Sequence, residues 1–138
     1  MTFRPHEIDY LRGSTLGRLA TTQPDGTLQN SPVGFTYNEE LGCIDISGYQ
    51  MSKSRKYRNI ATNPTVAFVV DDIASRDPWR VRCLEIRGTA SQAHLAEHVD
   101  DDHFDAAIIR ITPRRIIGFG IDDTETEPHQ LSPDARDA

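Results

Sequence analysis

Short apolar segments separated by turn-forming residues follow one another along most of this sequence. The first two, LGRLATT and LQNSPVGFTYN, flank a PDG turn at residues 24–26, in which proline suits the second position. Five further segments follow, from GCIDIS at residues 42–47 to RRIIGFGID at residues 114–122. Six or seven strands with hairpin-length connections favour antiparallel pairing, because parallel strands need long crossovers. The sequence therefore predicts a mainly β protein with small helices (α+β), built as an antiparallel β-barrel.

Length and charge distribution predict a single domain followed by a tail. The chain has 138 residues, enough for one domain with its own core. We expect residues 1–121 to form this domain, because residues 122–138 are acidic and almost free of apolar side chains. Such a segment buries too little surface to order itself, so we expect a flexible C-terminal tail. The net charge of −6 argues against nucleic-acid binding, which needs a basic surface.

The sequence carries no signal for a membrane or for export. No apolar run approaches the roughly 18 residues that span a bilayer, and MTFRPHEIDY lacks the apolar centre of a signal peptide. Cys43 and Cys83 lie within apolar strand segments, and we expect both to be buried free thiols in a reducing compartment. The protein is therefore expected to be cytoplasmic.

Three strand patterns carry more specific expectations. Pro32 lies within the second segment and has no N–H to donate, so it predicts an edge, a bulge or a strand end. Thr65–Asp72 is continuously apolar, which predicts a strand covered on both faces. The apolar alternation of the long fifth segment slips between Cys83 and Leu84, which predicts a bulge there.

The segment Ser47–Asn63 reads as the end of a strand that turns into a short helix. Ser52 is the candidate N-cap, and the proline after Asn63 ends the helix. Cations crowd its first turns, where the helix dipole disfavours them: Lys53, Arg55, Lys56 and Arg58. A bound anion would compensate, because free N–H groups and basic side chains both bind phosphate there. The alternative is a solvated basic face.

Motifs for other chemistries are weak or missing. His94 and His98 are four residues apart, with His103 nearby, but a third metal ligand at a diagnostic spacing is missing, and a solvated acidic helix is favoured. Serine-hydrolase and phosphate-loop motifs are absent, and neither cysteine is in an activating setting. This absence favours a bound cofactor that performs the reaction. No catalytic residue is identified; Tyr49 and solvent are the candidate proton donors.

Four segments, in order, resemble the pyridoxamine 5′-phosphate oxidase-like split-barrel flavoproteins: LGRLATTQPDGTLQNSPVGF, SKSRKYRNIATNPTVA, DPWRVRCLEIRGTA and TPRRIIGFGID. They cover most of Leu16–Asp122 and are most similar to the small branch that uses the deazaflavin coenzyme F420. The resemblance implies an FMN-binding split-barrel fold and a homodimer with two cofactor sites at the subunit interface.

The resemblance also implies roles for individual residues. Ser54, Arg55 and Lys56 match the phosphate-binding triplet, with Lys53 as a helper. Pro32 and Val33 match the strand that meets the ring system, and Ser47 and Gly48 end the adjoining strand. Trp79 would wall the pocket across the dimer, and Arg80, with Arg82 and Arg87, would reach the acidic tail of the coenzyme. The alternatives are a plain edge proline at Pro32, loop packing at Trp79 and solvated arginines.

The chain departs from the longer oxidases of that family. Phe35 and Thr36 stand where those enzymes have a basic residue, and the acidic tail has no counterpart of their product-recognising segment. Vitamin B6 oxidation is therefore not expected. Our hypothesis is an F420H2-dependent oxidoreductase that moves a hydride to a small organic acceptor. The alternatives are an FMN enzyme of the same fold and a non-catalytic protein that binds a cofactor or tetrapyrrole.

Overall fold

The structure, a computed structural model, describes residues 2–95 and 105–138. Its helices are α1 (Pro5–Arg12) and α2 (Arg55–Thr62), with 3-10 turns at Met51–Lys53 and Pro128–Gln130. Its strands are β1 (Leu16–Thr22), β2 (Leu28–Asn38), β3 (Cys43–Ser47), β4 (Thr65–Arg76), β5 (Trp79–His94), β6 (Ala107–Phe119) and β7 (Asp134–Asp137). Among the described residues, neither helix is long and apolar enough to cross a bilayer.

The strands form one antiparallel sheet that closes on itself. Their order is β3-β2-β1-β4-β5-β6-β7, and β3 also pairs with β6 through Ile44–Ile46. β6 therefore pairs with β3 through its first half and with β7 through its second half. This ring confirms the predicted antiparallel β-barrel with small helices.

The core fills the inside of the ring. Alternate side chains point inward: β4 buries Val66, Phe68 and Val70, while Ala67 and Val69 are half-exposed on the opposite face. Further core side chains are Leu19, Ile44, Ile46, Leu84, Ile86, Ile109 and Ile111. Burying one such side chain contributes about 1.5–3 kcal/mol. The prediction that β4 is covered on both faces is wrong for a single chain, because its outer face is open.

The predicted bulge between Cys83 and Leu84 is also wrong. β5 runs past these residues in continuous register with both β4 and β6. Val81 and Cys83 are half-buried on the outer face, whereas Leu84 and Ile86 point into the core. The apolar residues of β5 thus lie on the outer face up to Cys83 and on the inner face from Leu84 onward, which explains the apparent slip in the sequence. Both cysteines are free, as expected, with Cys43 buried and Cys83 half-buried.

The basic helix begins two residues later than predicted, with Ser54 as its N-cap. Ser54 Oγ accepts a hydrogen bond from the Tyr57 N–H at 3.2 Å and donates to the Met51 carbonyl at 2.7 Å. Ser52 instead donates its N–H, at 3.3 Å, and its hydroxyl to the Asp105 carboxylate. This contact ties the 3-10 turn to the start of β6.

Strand β7 corrects the expectation of a wholly flexible tail. It pairs with Arg115–Gly118, and Arg136 donates to both Glu7 carboxylate oxygens at 2.9 and 2.5 Å. Burial would raise the pKa of Glu7, but hydrogen bonds from Arg136 and from the Arg4 N–H lower it below its ordinary value. A buried acid on α1 thus anchors the C-terminal strand. The domain boundary after residue 121 stays a prediction.

Candidate functional site

Strands β2 and β3 diverge halfway along β2. Residues Leu28–Gly34 pair with β1, whereas β3 pairs with β2 only from Gly34 onward. Ser47, the last residue of β3, lies opposite Gly34, so Pro32 and Val33 lie just beyond the end of β3. Pro32 therefore occupies a part of β2 with one free edge, which confirms the edge position expected for a residue without an N–H.

Helix α2 lies at the other end of this free edge. The buried Asn59 side chain donates to Thr21 Oγ1 at 3.0 Å, which holds α2 against the end of β1. Hydrogen bonds from Thr27 lower the pKa of Asp25 in the β1–β2 turn, and the positive charge of Arg55 lowers it further. The segment from Ser47 to Arg55 thus runs from the end of β3 toward the β1–β2 turn. The region between the free edge of β2 and residues 48–56, where the sequence predicts the cofactor, is named the β2–α2 groove below.

The start of α2 presents N–H groups without intrahelical acceptors and cations that form no ion pair with another described residue. Because Ser54 Oγ caps the Tyr57 N–H, the first two helical N–H groups, of Arg55 and Lys56, have no intrahelical acceptor. Lys53 and Arg55 are exposed and Lys56 is half-exposed. Among the described residues, these three cations take part in no ion pair. Uncompensated cations at the positive end of a helix dipole form a suitable anion site.

The opposite end of the groove contains small and unpaired groups. A Cβ added at Gly48 would meet Met51 Cε at 3.5 Å, an ordinary contact, so the chain does not itself fill this space tightly. Ser31 Oγ, next to Pro32, is a buried hydroxyl without a hydrogen-bond partner in the described chain. Sequence reasoning did not identify Ser31, because an orphaned hydroxyl is visible only in three dimensions.

Trp79 and Arg80 lie far from the groove within one chain. They begin β5, whereas the part of β5 that contacts α2 is Gln92, whose side chain donates to the Tyr57 carbonyl at 3.0 Å. Thirteen residues separate Trp79 from Gln92, which is roughly 40 Å of strand at about 3.3 Å per residue. The Trp79 side chain is 55% exposed, and Arg80 donates to the Thr126 carbonyl. Within one chain, Trp79 and Arg80 therefore lie at the end of β5 remote from α2, and the binding of a cofactor by the other predicted residues stays a prediction.

A second concave feature, which the sequence did not reveal, lies between α1 and strands β1, β4 and β5. It is a cavity of about 620 Å³. Tyr10 donates its hydroxyl to Asp72 at 2.8 Å, and Arg82 Nε donates to the same carboxylate at 2.9 Å. Burial, followed by the hydrogen bond to Asp72, raises the pKa of the Tyr10 phenol. These three side chains form a rigid wall of the cavity.

The histidine prediction is only partly covered by the structure. His94 ends β5, but His98 and His103 lie outside the described residues. Within the described chain, potential ligand atoms of His6, Glu7 and Asp134 lie within 4.8 Å of one another. Both Glu7 oxygens already accept hydrogen bonds from Arg136. This cluster is therefore better described as an ion-pair network than as a metal site.

Comparisons with known proteins agree with this fold. The chain is 45% identical over 138 residues to the 5a,11a-dehydrotetracycline/5a,11a-dehydrooxytetracycline reductase of Streptomyces rimosus, covering 99% of this chain and 97% of the relative. A conserved hypothetical protein from Mycobacterium tuberculosis has a similar structure, with a TM-score of 0.70, 18% identity and 92% of each chain covered.

A solved structure described as an F420 reductase is also similar. It has a TM-score of 0.57 and 29% identity, and the match covers 76% of this chain and 90% of that one. Residues 5–122 match the family model of pyridoxamine 5′-phosphate oxidase. The match spans α1, both sides of the β2–α2 groove and strands β1 to β6. The chain therefore belongs to the pyridoxamine 5′-phosphate oxidase family, as an oxidoreductase with a split-barrel fold.

Proposed function

We propose that this protein is an F420H2-dependent reductase that saturates a carbon–carbon double bond of a polycyclic organic acceptor. The F420 reductase, 29% identical, supports the deazaflavin cofactor. The reductase from Streptomyces rimosus, 45% identical along almost the whole chain, supports the acceptor class. Its name specifies the reduction of one double bond in a tetracycline, and we extend that reaction type to this chain.

The observation that carries the proposal is the uncompensated charge at the start of α2. Lys53, Arg55 and Lys56 have no ion-pair partner in the described chain, and two helix N–H groups point outward beside them. A charge-assisted hydrogen bond contributes about 1.5–3 kcal/mol, whereas an exposed ion pair contributes about 0–1 kcal/mol. Two or three such bonds to one phosphate would anchor a cofactor. The Ser54 hydroxyl, already bonded twice, would contribute mainly by shaping the helix start.

The other end of the groove suits a flat ring. Pro32 offers no N–H that a ring would leave unsatisfied, and Gly48 has no side chain to block its approach. When bound, reduced F420 supplies the hydride. The chain's own groups hold and orient the ring and exclude water, and the second hydrogen enters as a proton from Tyr49 or from solvent.

The proposed assembly is a homodimer that pairs through the outer face of the sheet. Ala20, Ala67 and Val69 are half-exposed there, and Leu28 is 73% exposed. Grooves of about 560 and 240 Å³ lie on this face, and both contain Ala20 and Ala67. A second copy would cover the apolar outer side of β4, which the sequence expects to be buried.

Charges on this face are neutralised within the chain. Arg18 pairs with Asp71, and Arg87 pairs with Glu85 at 2.7 Å. Apolar patches bordered by internally paired charges are suited to self-association. A dimer would also let Trp79 of one protomer reach the groove of its partner, which a single chain does not allow. A cytoplasmic location completes the proposal, supported by the two free cysteines.

Turnover with alternative cofactors tests this function. The protein is incubated anaerobically with 5a,11a-dehydrotetracycline and either reduced F420 or reduced FMN, and the product is analysed by mass spectrometry. We expect a mass gain of two hydrogens with reduced F420 and little product with reduced FMN. Equal or greater turnover with FMN would favour the FMN alternative. Tight F420 binding without turnover of any polycyclic enone would favour the non-catalytic alternative.

A further inference from the structure

We infer that the cavity between α1 and strands β1, β4 and β5 holds the distal part of the acceptor and recognises a protonated amine on it. This inference rests on the proposed reduction of a polycyclic acceptor. It adds a second contact region and a chemical requirement that the β2–α2 groove does not provide.

The position of the cavity makes this role possible. Leu16 lies at the rim of the cavity and pairs with Gly34 of β2. Gly34 in turn pairs with Ser47, which lies at the end of the groove where the cofactor ring is proposed to bind. Two strand spacings therefore separate Leu16 from Ser47, about 10 Å in all. An acceptor with several fused rings, placed with one ring over the cofactor, extends over that distance. The volume of about 620 Å³ is within the range of drug-sized ligand sites.

The lining is mostly polar, but Leu16, Ile121 and the Tyr10 ring offer apolar contacts to such a body. Leu16 is 51% exposed, so its side chain is available for contact at the cavity rim. Ile121 is half-exposed on the same cavity. The Tyr10 hydroxyl is hydrogen-bonded to Asp72. The guanidinium group of Arg82 stacks over the Tyr10 ring, with its central carbon 5.1 Å from the ring centroid. The Tyr10, Asp72 and Arg82 side chains are therefore already held together in the free protein.

The charge of the lining selects the amine. Asp72 is neutralised by Arg82, and Asp71 is neutralised by Arg18. Asp9 remains: among the described residues it has no ion-pair partner, and it is exposed on the α1 side of the cavity. A carboxylate without an ion-pair partner at this position favours a ligand that carries a positive charge close to it.

Direct binding tests the inference without turnover. Full-length protein is titrated calorimetrically with tetracycline, which carries a protonated dimethylamino group, and with 4-dedimethylaminotetracycline, which lacks it. We expect the wild type to bind tetracycline about fivefold more tightly, the upper range for a solvent-accessible ion pair. Asp9→Asn should abolish this preference. The control Glu40→Gln removes the same charge from the exposed β2–β3 turn and should preserve it.

A second variant separates the apolar contact from the charge. Leu16→Asn should weaken both probes by a similar factor and leave their ratio unchanged. A wild type that does not discriminate between the probes, or an Asp9→Asn variant that keeps the preference, would overturn the inference. Failure of both probes to bind would also overturn it. Because F420 binding and turnover are measured separately, these outcomes are distinguishable from failure of the proposed function.

Discussion

Removing Arg136 should destabilise the barrel far more than its place in a short C-terminal strand suggests. Glu7 is 0% exposed, and its carboxylate is compensated mainly by Arg136, whose side chain is 22% exposed. Arg136→Ala leaves a buried charge without its partner, which typically costs about 3–5 kcal/mol. Glu7→Gln leaves the arginine close to water and should cost less, about 1–2 kcal/mol. The two halves of one ion pair should therefore differ clearly.

The pH dependence sharpens this prediction. In the wild type the pKa of Glu7 is lowered, so its contribution to stability is present above about pH 4.5 and is lost as the pH falls through the lowered folded value. Without Arg136, burial dominates and raises the pKa of Glu7. Protonation then relieves the buried charge, so the penalty of Arg136→Ala should shrink between pH 7 and pH 5.

Urea unfolding at both pH values, at one fixed protein concentration, measures these differences. The control is Arg115→Ala, which removes an arginine that pairs with Asp137, itself 84% exposed. It should cost about 0.5 kcal/mol or less. A cost for Arg136→Ala no greater than that of Arg115→Ala would refute the account. So would a penalty that grows on acidification, or a larger cost for Glu7→Gln than for Arg136→Ala.

Three other substitutions test separate parts of the structure. Asn59→Ala removes a buried donor to Thr21 Oγ1 and should cost about 1–3 kcal/mol in urea unfolding; an unchanged midpoint would contradict the role of this bond in holding α2. Gly88→Ala places a Cβ 2.2 Å from the Thr112 carbonyl oxygen, so we expect the free energy of unfolding to fall by about 2 kcal/mol or more. An unchanged free energy of unfolding would contradict the close packing of β5 against β6 at this position. Val69→Arg should convert the proposed dimer to monomers in light scattering and weaken F420 binding; a dimeric variant would argue against the outer face as the interface.

The first hairpin is predictable from the sequence because its pattern is local. LGRLATT and the PDG turn carry all the information that β1 and its hairpin need, and β1 spans the predicted residues. The cation cluster likewise follows from the sequence and from helix electrostatics alone. Its contact with a cofactor stays a prediction.

Other features depend on contacts between distant parts of the chain. Ser52 and Ser54 are equally good N-caps by residue type, and the choice is made by Asp105, which engages Ser52. β7 has almost no apolar residues, and its strand forms because Arg136 meets a buried acid 129 residues earlier. The apolar pattern of β5 predicts a bulge that is not there. The pattern of one strand does not reveal which elements cover each of its two faces, so apolar residues on both faces look like a shift in register. The cavity beside Tyr10 forms only where four separate elements meet, α1, β1, β4 and β5.

The central claim is that the cations at the start of α2 bind the cofactor phosphate. Its most direct test is a fluorescence titration of the wild type with F420, compared with Arg55→Gln, Lys56→Gln and the control Arg58→Gln, which removes the same charge one turn further along the helix. We predict that each of the first two variants binds about tenfold more weakly or worse, and that Arg58→Gln changes the affinity by less than about threefold. Equal affinities for all four proteins would contradict the claim.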